Sequence, residues 1–104
     1  MSVTVTDHGR NRIHERCGIG AKAAGRIAKI VFEKGLTYAE TTGPLNRYIN
    51  SLYMYNETAN NIRMYGDKVY IFCGEVLVTV LDLPRKYRTI VNKLIGKRNG
   101  IWTD

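Results

Sequence analysis

Three runs rich in β-branched and aromatic residues, Ile62 to Tyr65, Lys68 to Cys73 and Val76 to Leu83, follow one another with only two residues between each. The separators, Gly66-Asp67 and Gly74-Glu75, suit two-residue hairpin turns, so the stretch predicts an antiparallel meander. A small meander is not stable by itself and has to bury a face against other elements. What the remaining residues supply for that cover decides the fold.

They supply helices. Thr6 or Asp7 is placed to cap a helix running to about Cys17, where Gly18 and Gly20 interrupt it. A second helix is expected from Ile19 to Lys34, with Ala23, Ile27, Ile30 and Val31 on its apolar face and Gly35 at its end. Residues 36 to 43 read as a loop. Pro44 then opens a third helix, with Leu45, Tyr48, Ile49, Leu52 and Tyr53 at helical spacing, ending near Asn56 before a turn over Glu57 to Asn61. Pro84 stops the last strand and starts a final helix through about Ile95, with Tyr87, Ile90, Val91 and Leu94 turned inward. The expectation is an α+β domain over residues 1–95, N-terminal helices packed on one face of a three- or four-stranded antiparallel sheet, with a C-terminal helix. The other sheet face is left open for a site, and residues 96–104 form a loose tail anchored at most by Trp102.

At 104 residues the chain supports one core. The formal net charge is +7, carried at the two ends. Residues 1–34 hold seven Lys/Arg against three Asp/Glu and residues 84–104 hold six against one, whereas residues 35–83 hold three against five. Basic ends brought together would make a patch for polyanions, with Arg10, Lys22, Arg26, Arg85, Lys86 and Arg88 as nucleic-acid contacts. No apolar run reaches the roughly 18 residues of a spanning helix. The polar N-terminus lacks the apolar stretch of a signal peptide, so a cytoplasmic protein is expected without a membrane partner. Cys17 and Cys73 are far apart and lack zinc or CxxC spacing, and read as two small buried hydrophobes. Walker, GxGxxG and HExxH motifs are absent from the sequence, which removes support for nucleotide hydrolases and metalloenzymes; neither metal nor cofactor is expected.

His8, Arg12 and Arg16 recur at i, i+4 and i+8, a stripe along one helix side that drifts by about 40° per step. Arginine's planar fork holds two oxygens of one phosphate, and an adjacent histidine exchanges protons near neutral pH. Metal-independent RNA cleavage needs a base for the 2′-hydroxyl, an acid for the leaving 5′-oxygen and cations for the phosphorane. His8 fits either proton-transfer role. Glu15 comes first as its counterpart, with Tyr70, Tyr65 and His14 as alternatives. The bland reading of the same residues is a solvated helix face with Glu15 paired to Arg12 or a neighbour. Thr79 interrupts the apolar run of the third strand, where strict alternation sets it on the face of Leu77 and Leu81, either as a good strand former or as a hydroxyl aimed at phosphate.

The order Thr6-x-His8-x-x-x-Arg12-x-x-Glu15-Arg16, then a second helix, a strand pair around Gly66-Asp67 and a strand carrying Val78-Thr79-Val80, resembles the barnase/EndoU/colicin/RelE-like superfamily. It looks closest to small phage and bacterial members whose first helix reads T-x-H-A-x-x-R-x-x-E-R. The resemblance implies a toxin-like or phage-encoded, metal-independent endoribonuclease acting from the exposed face of its sheet. By position, His8 would be the acid/base, Arg12 and Arg16 the phosphate contacts and Thr79 the sheet-borne polar group. Gly9 stands where that pattern has alanine, and the tyrosine-rich segment from Pro44 to Asn56 looks like an insertion. The family includes inactive binding proteins. Two non-catalytic readings therefore stand beside the enzyme: a nucleic-acid binder using the basic face, and a protein that engages an antitoxin or host factor through Tyr48, Tyr53 and Tyr55. The sequence leaves the oligomeric state open.

Overall fold

A computed structural model describes residues 3–55 and 59–98. The expected meander forms from β3 (Asn61–Tyr65), β4 (Lys68–Cys73) and β5 (Val76–Asp82). Both turns have positive φ at glycine alone, 62° at Gly66 and 61° at Gly74, which makes each a type II′ turn with Gly in the first central position. Two further strands extend the sheet. β1 (Thr4–Val5) pairs in parallel with Val76 and Leu77, and β2 (Leu36–Thr37) pairs antiparallel with Met64 and Arg63. The order is β1-β5-β4-β3-β2, a five-stranded mixed sheet rather than the expected three- or four-stranded antiparallel one. The expected loop after Gly35 thus begins with a strand, and two residues of ladder leave no periodicity for a sequence to display.

Four helices complete the α+β fold: α1 (Asp7–Cys17), α2 (Ala21–Lys34), α3 (Gly43–Tyr55) and α4 (Arg85–Arg98). They cover both faces of the sheet, not one. Tyr70, Phe72, Leu77 and Val80 pack with Ile13 of α1 and with Ala24, Ala28 and Val31 of α2. Ile62, Met64, Val69 and Ile71 pack with Leu45 and Ile49 of α3 and with Tyr87 and Val91 of α4. The meander is apolar on both sides, as a doubly covered sheet must be, so the expected open face does not exist. On α2 the fully buried face centres on Ala24, Ala28 and Val31, whereas Ala23, Ile27 and Ile30 keep partial exposure. Small residues there allow α2 to lie close to the sheet. Ile90, expected inward, is exposed on α4, and Cys73, expected buried, is exposed at the end of β4 beside its turn. α4 runs through Arg98, so the expected tail starts inside a helix; Trp102 lies outside the described residues.

The register between β4 and β5 slips once. Ile71 faces Thr79 while Phe72 faces Leu77, so Val78 is the extra residue of a bulge. The slip breaks the alternation expected along β5: Leu77 joins the α1/α2 core and Leu81 packs against the α3/α4 core. Thr79 therefore cannot share one face with both. The bulge lies immediately beyond the two residues that β1 covers, and α1 takes over from there.

Candidate active site

α1 docks on β5 through its own first turn. Thr6 caps the helix by accepting the Gly9 N–H at 3.0 Å, and its hydroxyl lies 3.3 Å from the Leu77 carbonyl and 3.4 Å from that of Val78. The Thr6 N–H donates to the Leu77 carbonyl as well. A Cβ on Gly9 would stand 2.7 Å from the Leu77 carbonyl oxygen and 3.1 Å from a Val5 methyl. The helix backbone sits so near the strand backbone that only glycine fits. Gly9, a departure from the alanine of the resembled pattern, is thus a packing requirement of this chain.

That docking carries the stripe along β5. His8 is exposed, and its Nε2 lies 3.4 Å from Thr79 Oγ1 and 3.4 Å from Arg12 Nε. An Arg12 N–H donating to Nε2 requires the neutral ring with its proton on Nδ1, leaving the Nε2 lone pair on the side of Thr79 and Arg12. Both contacts are long for hydrogen bonds. Arg12 Nη1 holds Glu15 Oε2 at 2.8 Å. Glu15 therefore partners Arg12 and not His8, the arrangement of a solvated helix pair.

Arg16 lies two turns further on. Its Nη1 bonds Asp82 Oδ2 at 3.1 Å, while Lys68 Nζ bonds Asp82 Oδ1 at 2.9 Å and lies 3.5 Å from Asp67. Among the described residues, Arg16 Nε is enclosed without a hydrogen-bond partner. The Lys68 hydrogen bond, then the charges of Lys68 and Arg16, hold the Asp82 carboxyl below its ordinary value, and Asp82 in turn raises Lys68. Arg16 is thus already engaged by an acid that the sequence reading did not consider. Asp82 is the one acid on β5, directly before Leu83-Pro84, which was the available signal.

The other candidates fall elsewhere. Tyr70 is buried between the sheet and α1, where burial first and then Cys17, whose Sγ lies 3.8 Å from the hydroxyl, push its phenol well above the usual range. It does not contact His8. Lys22 and Arg26 are exposed on α2, and Arg10 lies on α1. Arg85 and Lys86 are exposed on α4, where Lys86 sits over the Tyr87 ring, and Arg88 Nε donates to the Leu83 carbonyl at 2.9 Å. The sheet separates α4 from α1 and α2, so the basic residues of the two chain ends occupy different layers. Tyr48 stacks on Tyr87, and Tyr53 packs edge-on to Tyr38 while accepting the Ile62 N–H at 2.9 Å. Of the three expected partner-binding tyrosines, Tyr55 alone stands clear, 86% exposed beside Met54 at 78%.

The described residues enclose no cavity, include no group of three His, Cys, Asp or Glu side chains placed to hold a metal, and form no helix long and apolar enough to cross a membrane. What they bring together is a surface constellation of a histidine, a threonine hydroxyl and two arginines along one edge of the sheet. No protein-family model, curated protein or solved structure matches this chain.

Proposed function

We propose that the chain is a metal-independent endoribonuclease of the toxin-like or phage-encoded kind, acting on RNA phosphodiesters in the cytoplasm at the seam between α1 and β5. The observation that carries this reading is the convergence of Thr79 and Arg12 on His8 Nε2, two groups brought together from opposite ends of the sequence. The barnase/EndoU/colicin/RelE-like resemblance of the α1 motif supports it.

In this mechanism Arg12 turns from His8 to the phosphate, which frees the Nε2 lone pair, and neutral His8 takes the proton of a ribose 2′-hydroxyl there. The 2′-oxygen then attacks the adjacent phosphorus. Arg12 holds two non-bridging oxygens and carries the charge that builds on the phosphorane, and the Thr79 hydroxyl donates to the same group. The 5′-oxygen leaves with a proton from water at the open surface, and the hydroxide that remains takes up the proton held by His8, giving a 2′,3′-cyclic phosphate, a 5′-hydroxyl and neutral His8. Glu15 orients Arg12, and Arg16 fixes the end of α1 to Asp82.

Purified protein is expected to cut RNA in EDTA and to leave 2′,3′-cyclic phosphate ends. His8→Ala is expected to lower the rate by 10²- to 10⁴-fold, roughly the contribution of one proton-transfer group, with an unchanged circular dichroism spectrum. Wild type that leaves diverse RNAs whole at high enzyme concentration sinks the enzyme. A second reading is favoured by Met54 and Tyr55, exposed together at the end of α3: a non-catalytic protein that grips an antitoxin or host factor there. Its mark is a stoichiometric complex lost on Tyr55→Ala and kept on His8→Ala.

A further inference from the structure

Five cations of this chain are engaged within it. Arg12 holds Glu15, Arg16 and Lys68 share Asp82, Arg63 donates to the Phe32 carbonyl at 2.8 Å, and Arg88 donates to the Leu83 carbonyl. α2 is different. Lys22, Arg26 and Lys29 lie at i, i+4 and i+7, all exposed, and among the described residues none of them makes an ion pair. Their stripe stands opposite the buried Ala24, Ala28 and Val31, so it points straight away from the sheet over about 10 Å of helix. Glu33, beyond its C-terminal end, is the only acid in α2.

α2 also packs in the same layer as α1, both meeting the core that contains Ile13. Packed helices lie about 8 to 10 Å apart, a distance that a phosphodiester chain crosses within a few nucleotides. Contacts to a phosphodiester backbone gain affinity as further cations are added along the chain.

We infer that Lys22, Arg26 and Lys29 form a phosphate-docking track that continues the α1–β5 site, so the substrate is a single-stranded RNA long enough to reach from Arg12 across α2. This rests on the reading of the seam as an RNA site. Arg47 of α3 and Lys93 of α4 are exposed on the opposite layer and take no part.

The test is the salt dependence of binding to a 2′-O-methyl RNA of about 20 nucleotides, which lacks the 2′-hydroxyl nucleophile and stays whole. R26Q/K29Q removes one arginine and one lysine from the track, and R47Q/K93Q removes the same pair of charges from the other layer. For two lost contacts to a single strand, the slope of log K against log salt is expected to fall by about 1.4 in R26Q/K29Q and to hold in R47Q/K93Q. Equal losses in both, or a wild-type slope in R26Q/K29Q, overturn the track while leaving the seam intact. If wild type binds no RNA, the seam reading and the track both fall. If it binds RNA with the expected slopes but never cleaves, the track stands and catalysis alone is lost. An acidic protein as the true occupant would show as a protein complex lost in R26Q/K29Q without any RNA affinity, and this also overturns the track.

Discussion

The α1–β5 seam and the α3/α4 layer hold opposite sides of the same sheet by different means. In the α3/α4 layer, Leu36, Leu45, Ile49, Ile62 and Val69 fill volume, and tyrosines complete it through ring contacts, Tyr48 on Tyr87 and Tyr38 on Tyr53. The seam is backbone against backbone, with Gly9 on the Leu77 carbonyl, Thr6 bridging helix and strand, and single polar pairs further along. Volume-filling tolerates exchange of one apolar side chain for another of similar size. A backbone seam does not, because one added carbon has nowhere to go. The chain thus places its adaptable packing away from the site and its exact-fit packing beneath it.

The largest expected effect tests the volume side. Ile49→Ala is expected to cost about 3 kcal/mol in urea unfolding while RNA cleavage per folded molecule stays at the wild-type level. A parallel loss of activity would mean that the two regions are not separable. Next is Gly9→Ala. In an ordinary helix this change gains up to about 1 kcal/mol, but the 2.7 Å approach to Leu77 reverses the sign, for an expected loss of about 2 kcal/mol together with a drop in cleavage, since His8 is the adjacent residue. Stabilisation by this variant would break the close-seam description.

Thr6→Ala is expected to cost about 1 kcal/mol, the usual loss of an N-cap, and Thr6→Ser to recover most of it. Two pH limbs sharpen the comparison further. Burial raises the Tyr70 phenol, so the unfolded chain loses that proton first; stability is full below about pH 10 and drains as pH rises above it. Tyr70→Phe is expected to shrink this alkaline limb in melting curves and to leave the part that the raised Tyr48 and Lys68 supply. The Asp82 carboxyl is lowered, so its contribution is present above about pH 4 and is lost as pH falls below that. Asp82→Asn is expected to flatten the acid limb and also to remove what Asp82 adds to the raised Lys68, and the effect is the smallest because Asp82 is exposed.

The parts of the fold legible in the sequence are those with local causes. Gly66 and Gly74 announced both hairpins, Thr6 announced the start of α1, and Pro84 announced α4. β1 and β2 were not legible because each consists of two residues defined by a partner strand. Nor was the bulge, since Val78 sits in an apolar run where any residue serves equally as the extra one. The covered second face was legible in Val69 and Ile71 alternating with Tyr70 and Phe72, all apolar, the continuous run of a strand buried on both faces. At the site, spacing along α1 placed His8 and Arg12 side by side, but the pairing of Arg16 with Asp82 depended on where β5 ends.

Thr6 meets Leu77 and Val78, His8 meets Thr79, and Arg16 meets Asp82, contacts separated by 66 to 72 positions along the chain. Such distant partners are late to meet during folding. Synthesis proceeds from the N-terminus, so the ribosome releases His8 long before it makes Thr79. A nascent chain carries the basic stripe without the strand that organises it, and the seam closes only once β5 has been made. The placement of β5 therefore delays closure of the seam, and with it the meeting of His8 and Thr79, until β5 itself has been made.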